Sequence, residues 1–259
     1  MSCGIIFLSD NLASQSNISL TTGSENSQFP LNNIKNEATA VKFRSQENDV
    51  VIVFDLQQTR TIDTIALHGD TNDTLGLTTA SFKTSLTTDF SGSTATNIPL
   101  SAADIMGYVL LDASVSHRYV ELTLSGTGSY VELSNIFIGE KIEIEQNNLS
   151  IESFRYGYRD NSTTSNNDYD QLFINKRNNT KFVSGALQFC TKSEQETLDN
   201  MFIKHQRSES IWMIVDKESA GINDGKYKLT VYGYFQDVPL WSASGGQHYS
   251  CNVRVNQAG

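Results

Sequence analysis

Apolar and polar residues alternate along much of this chain with a period of two, the pattern of strands buried on one face. Residues 119–124 are the clearest case. Val120, Leu122 and Leu124 fall on one face, and Tyr119, Glu121 and Thr123 on the other. Residues 50–54 form a short apolar run suited to a buried strand, and 62–67 follow after a turn-like Gln-Gln-Thr-Arg segment. Residues 81–86 and 131–138 predict two further strands, the latter stopping at Gly139. Between them lie loops rich in Ser, Thr, Asn, Asp and Gly, such as 70–74 and 125–129. Several short strands with such punctuation predict a sandwich or jelly roll.

The pattern changes after residue 140. A polar stretch, 140–148, carries Ile142 and Ile144 between charges and reads as an exposed strand or a strand-like linker. We place the domain boundary near 140–150, which gives domains 1–140 and 141–259. Residues 160–169 form a long polar loop tip. The second half carries one helix, expected at about 192–205. Two overlapping capping boxes open it, Thr191 with Glu194 or Ser193 with Glu196. Leu198, Met201 and Phe202 form its apolar stripe, and Lys204 and His205 suit its C-terminal dipole. Strands flank this helix. One alternates through Val183, Gly185, Leu187 and Phe189, and others are expected at 211–215, 227–235 and 250–255. In the last, Cys251, Val253 and Val255 share a face, so Cys251 is expected to be a buried thiol. The fold class is therefore mainly β, a jelly-roll sandwich followed by a second antiparallel β domain with one α-helix.

Composition narrows the function. Among 259 residues, 19 basic and 29 acidic side chains leave a net charge of −10. Such a surface repels phosphate backbones and anionic headgroups, which argues against nucleic-acid and membrane partners. No apolar run approaches the roughly 18 residues of a membrane span. The first ten residues lack a basic stretch, so no secretory signal is expected. Three widely spaced cysteines, Cys3, Cys190 and Cys251, form no CxxC pair or Cys/His cluster, and reduced thiols are expected.

No phosphate loop, dinucleotide fingerprint, GxSxG elbow or HExxH helix is present, and no cofactor is called for. The acidic residues lie mostly in loops, where solvated charge is the reading preferred over a catalytic pair. Residues 70–73 offer oxygen ligands but lack the spacing and glycine of an EF-hand loop, so no metal is assigned. His68 ends a predicted strand and reads either as an ordinary strand-end histidine or as a ligand contact. Tyr130 and Trp241 could each present a ring beside a loop or fill a strand-end core position.

Several stretches, in order, resemble the galactose-binding-like, or discoidin-type, jelly roll. Phe29-Pro-Leu-Asn-Asn-Ile34 resembles the family's opening, and Ala40-Val-Lys-Phe-Arg-Ser45 its aromatic-Arg step. Val51-Ile-Val-Phe-Asp-Leu56 and Thr61-Ile-Asp-Thr-Ile-Ala-Leu67 resemble the next two strands. Residues 118–124 and 131–139 resemble the closing pair. The resemblance covers about 10–139. It implies binding of carbohydrate, lipid or protein through loops at one end of the sandwich. By that analogy the candidate ligand-binding residues are Arg44, His68, Asp70, Asn72 and Tyr130. The family's calcium loop is not matched.

The arrangement of this module before a second β domain resembles phage tail and baseplate proteins. Residues 189–198, 211–216, 233–239 and 253–257 are similar to steps of minor tail proteins. The resemblance implies a non-enzymatic structural component of a tail tip or baseplate, assembled in a host cytoplasm and carried on the virion. Its partners would be other phage tail proteins and host-surface glycan, in a symmetric oligomer. The alternative is a free carbohydrate-binding protein with an accessory β domain. A glycan-cleaving enzyme ranks last.

Overall fold

The computed structural model describes residues 3–69, 75–100, 105–146, 154–166, 171–177, 179–215, 229–243 and 248–258. The fold is mainly β, built on antiparallel sheets. The chain forms two compact units, one of them Asp10–Ile142. The other joins the N-terminal strand Cys3–Leu8 to the chain from Glu143 onward.

The Asp10–Ile142 unit is built on two long strands, Asp49–His68 and Met106–Gly126, paired along their length. Two irregularities interrupt the ladder, between Asp55 and Arg60 and between Ile62 and Thr64. Asn17–Thr22 pairs with the first half of Asp49–His68, and Asn135–Gly139 with the second half. Leu77–Ser85 and Thr96–Asn97 extend the sheet beyond Met106–Gly126. Bulges of this kind bend one strand from layer to layer, which lets long strands build a jelly-roll sandwich. Separate strands were expected at 50–54 and 62–67. The structure makes them one strand with an irregularity between them, where Gln57 adopts φ +67° and its N–H donates to Asp55 Oδ1 at 2.8 Å. The side chain thus absorbs the backbone donor that the irregular ladder leaves over.

The alternation along 119–124 is as expected: Val120, Leu122 and Leu124 are fully buried. They meet Ile52, Phe54, Phe43, Leu133, Ile136 and Ile138 in one apolar cluster. Each fully buried large apolar side chain contributes about 1.5–3 kcal/mol. Asn11 links the start of this unit to its last strand. Its side-chain oxygen caps the short helix Leu12–Gln15 and accepts from the Ile138 N–H, while its amide nitrogen donates to the Ile136 carbonyl.

The second unit holds a sheet ordered Lys141–Gln146, Cys3–Leu8, Ile211–Val215, Thr230–Phe235, Tyr249–Gln257, Thr180–Cys190, Arg155–Arg159. The helix is Lys192–His205, and of the two possible capping boxes Thr191 with Glu194 forms. Leu198, Met201 and Phe202 are buried, with Phe202 edge-on to Phe235 at 4.8 Å between ring centres. The last strand buries Cys251, Val253 and Val255 as expected.

Four expectations change here. Residues 160–169 were expected to be a polar loop tip, but Thr163–Asn166 is a strand paired with Leu172–Asn175. Residues 1–140 were assigned to one domain, but Cys3–Leu8 pairs with Ile211–Val215 through Ile5–Val215 to Leu8–Trp212. Ile5 to Leu8 are all buried, so the run is a central strand covered on both faces, and its partner is fixed only by long-range pairing. Phe189 was expected to share the inner face with Leu187. It takes φ +55°, the ladder shifts between Leu187 and Cys190, and Cys190 turns inward while Phe189 is exposed. One helix was expected, whereas the structure adds the four-residue turn Leu12–Gln15 and a 3-10 turn at Leu31–Lys35.

Candidate functional site

The strands Phe43–Arg44 and Glu132–Leu133 form a two-residue ladder in the Asp10–Ile142 unit. Phe43 pairs with Leu133, and both are fully buried. The period of two then turns Arg44 and Glu132, the other pair in register, to the outer face. Arg44 Nε and Nη2 both donate to Glu132 Oε2, at 2.7 and 2.5 Å. Lys42 Nζ donates to Oε1 at 2.6 Å, so one carboxylate binds two cations. These side chains are only 17–28% exposed, and charge-assisted bonds of this length are stronger than neutral ones.

The Arg44 guanidinium also lies against two rings. Its carbon is 4.7 Å from the centre of Phe29 and 4.4 Å from that of Tyr130. Backbone bonds hold this arrangement: Arg44 N–H donates to the Phe29 carbonyl, and Asn26 N–H donates to the Arg44 carbonyl. The buried Ser45 hydroxyl accepts from the Val131 N–H at 2.7 Å, and Ser45 N–H donates to the Val131 carbonyl. Tyr130 is 42% exposed and reaches its place through a tight turn. A Cβ on Gly126 would sit 2.5 Å from the Tyr130 carbonyl oxygen, so only glycine allows this approach. Nearby, the Ser24 N–H and hydroxyl both donate to the Glu47 carboxylate and hold it below the usual carboxylate range, the backbone bond foremost.

Of the five sequence candidates, the structure brings Arg44 and Tyr130 together. His68 does not join them. It is fully buried in the Asp49–His68 strand, with Nδ1 2.5 Å from the Gly69 carbonyl oxygen. Its pairing with both Met106 and Asn135 places it between two strands, out of reach of a solvent-borne ligand. Asp70 and Asn72 lie outside the described residues. Phe29, Lys42 and Glu132 were not named as site residues. Lys42, Arg44 and Glu132 flank buried Phe43 and Leu133 in the expected alternation, but their register across the ladder is a tertiary fact. Trp241, read as either platform or core, is half-buried and donates its indole N–H to Asp199.

No family model matches, and no curated protein sequence matches. Solved structures do match. The chain is similar to the family 32 CBM from Clostridium perfringens NanJ in complex with galactose. The identity is 14% and the TM-score 0.42, over 52% of this chain and 99% of that one. It is also similar to CBM32-1 from a family 31 glycoside hydrolase of C. perfringens, at 15% identity and TM-score 0.41, over 50% and 97%. A Streptococcus pneumoniae fucose binding module matches at 13% identity and TM-score 0.42, over 51% and 98%.

A second charged pair lies in the same unit. Arg118 Nε and Nη2 donate to Asp55 Oδ1 and Oδ2 at 2.7 and 2.8 Å, with the guanidinium carbon 5.0 Å from the Tyr119 ring centre. These bonds from Arg118 hold the Asp55 carboxyl below its usual range. Both carboxylate oxygens are engaged, so the pair reads as a brace between the paired strands. Among the described residues no group of three or more His, Cys, Asp or Glu is placed to hold a metal ion, and no helix is long and apolar enough to cross a membrane.

Proposed function

We propose that the Asp10–Ile142 unit binds carbohydrate, with Tyr130 as the stacking ring and the Lys42–Glu132–Arg44 network as the polar partner. The single observation that carries this reading is the half-exposed Tyr130 ring set rigidly on a guanidinium that Glu132 holds. Sugars present one apolar face and a rim of hydroxyls. A fixed aromatic ring takes the first, and charged donors and acceptors take the second. The mechanism is binding, with no covalent step. Galactose and fucose, named for two of the similar structures, are the first sugars to test. A glycan array probed with the full chain, followed by titration calorimetry on the best hit, tests the proposal. Tyr130→Ala is expected to weaken binding by about tenfold or more, the scale of a lost stacking contact. Equal binding by the variant, or no glycan bound at all, would sink it.

A second reading, a structural adaptor in a phage tail, draws on the sequence resemblance and on exposed apolar residues of the second unit. Tyr156 and Tyr158 on the sheet-end strand Arg155–Arg159 are 42% and 65% exposed. Leu172 and Ile174, on a separate hairpin, are 61% and 56% exposed. Large exposed apolar side chains of this kind suit a protein interface. Electron microscopy of particles carrying the protein tests it, and absence from the tail would exclude it.

A further inference from the structure

The second unit contains a groove of about 650 Å³ that neither reading uses. Its floor is the Thr180–Cys190 and Tyr249–Gln257 strands, at Ser184 to Ala186 and Asn252 to Arg254. Its wall is the loop Gln236 to Leu240, in which Val238 is 49% and Leu240 87% exposed. The loop is tied down by the Gln236 N–H, which donates to the Arg254 carbonyl.

Arg254 is the chemical centre of this groove. Its guanidinium carbon lies 3.9 Å from the centre of the Phe182 ring, and Nε donates to Asn256 Oδ1 at 3.2 Å. Phe182 in turn lies over Gly157, where a Cβ would meet the ring at 2.7 Å. The guanidinium is therefore oriented by packing, yet among the described residues no carboxylate pairs with it. Asp237 lines the groove, but its carboxylate pairs with Arg207. Arg155 stands in the same cross-strand row as Ser184 and Arg254, on the same face. Two strand spacings put the two arginine backbones about 10 Å apart. An oriented guanidinium with a second cation in its row and no carboxylate partner among the described residues is an anion receptor.

We propose that this groove binds an acidic, aliphatic peptide segment of a partner protein. One carboxylate sits on Arg254, a second lies toward Arg155, and aliphatic side chains rest on Val238 and Leu240. One feature selects a peptide over an acidic sugar. The rim is aliphatic, through exposed Val238 and Leu240. The proposal is independent of the carbohydrate reading, which concerns the other unit.

Fluorescence anisotropy on the full chain tests it, with a labelled peptide of alternating Glu and Leu as the probe. The same peptide with Lys for Glu is the control, and trigalacturonate is a competitor. A chain of net charge −10 attracts the Lys peptide non-specifically, so preference for the Glu peptide reports the groove. Arg254→Gln is expected to weaken the Glu peptide by about tenfold. Leu240→Ser, at a site too exposed to affect folding, is expected to weaken it by about threefold. Glycan binding at Tyr130 is expected to be unchanged in both variants. Equal affinity of wild type and both variants for the Glu peptide overturns the proposal. So does Arg254-dependent binding of trigalacturonate without binding of the peptide, which would assign the groove to an acidic sugar.

Discussion

Arg44 faces Glu132 directly across a two-residue ladder, and the same guanidinium packs against both Phe29 and Tyr130. One side chain thus joins an ion pair to two aromatic contacts. The guanidinium against the Tyr130 ring is the same one that the Glu132 carboxylate binds.

Glu132→Gln should therefore act on binding as well as stability. The neutral amide keeps the shape but loses its attraction for Lys42 and Arg44. Stability is expected to fall by about 1–2 kcal/mol, the scale of a partly buried charge-assisted pair. Urea unfolding with a tryptophan-independent probe such as far-ultraviolet circular dichroism measures the first effect. Calorimetry with the best glycan measures the second, expected as weaker affinity with Tyr130 still present.

Gly126→Ala tests the turn that delivers Tyr130. The new methyl would overlap the Tyr130 carbonyl, so the turn must open. A loss of about 1–3 kcal/mol is expected, together with weaker glycan binding. A variant as stable and as active as wild type would show that the approach is not needed.

Acid should loosen the Asp55–Arg118 brace. Because the folded carboxyl titrates below its unfolded value, the pair's stabilisation is fully present above about pH 4, the unfolded value. It is lost as pH falls through the lowered folded value. Asp55→Asn removes this contribution at neutral pH. The gap between wild type and variant should hold steady down to about pH 4 and narrow only below it, measured by thermal unfolding. A gap that widens on acidification would contradict the assignment.

Cys251 is buried, and burial pushes its thiol up to about 12. Thiolate is the reactive form, so the folded protein at pH 8 should leave Cys251 unmodified by iodoacetamide. Cys190 is buried as well and should behave alike. Both should react once guanidinium unfolds the chain, as peptide mass spectrometry would show.

Local pattern carried much of the fold. The helix Lys192–His205 was legible because capping, stripe and dipole residues all lie within one short window. The inner face of 119–124 was legible because alternation needs only adjacent residues. Arg44 was named only through resemblance, Tyr130 also from its place beside a loop, and their partner Glu132 was not named as a site residue. Nothing in the neighbourhood of residue 132 says that residue 44 lies opposite it. The burial of His68 was not legible for the related reason that a strand-end position does not reveal whether a second strand covers it.

The sequence alone determined several of the strands, the apolar face of residues 119–124, where the helix starts and the sign of the net charge. These follow from residue type and spacing over a few positions. Tertiary structure decided where Cys3–Leu8 pairs, that Asp49–His68 is a single bent strand, that Arg44 is clamped between Glu132 and two rings, and that Arg254 lines an open groove. Each of these joins residues from distant parts of the chain. Side-chain volume and unpaired backbone groups across the whole unit select among such pairings, and that selection leaves no local mark.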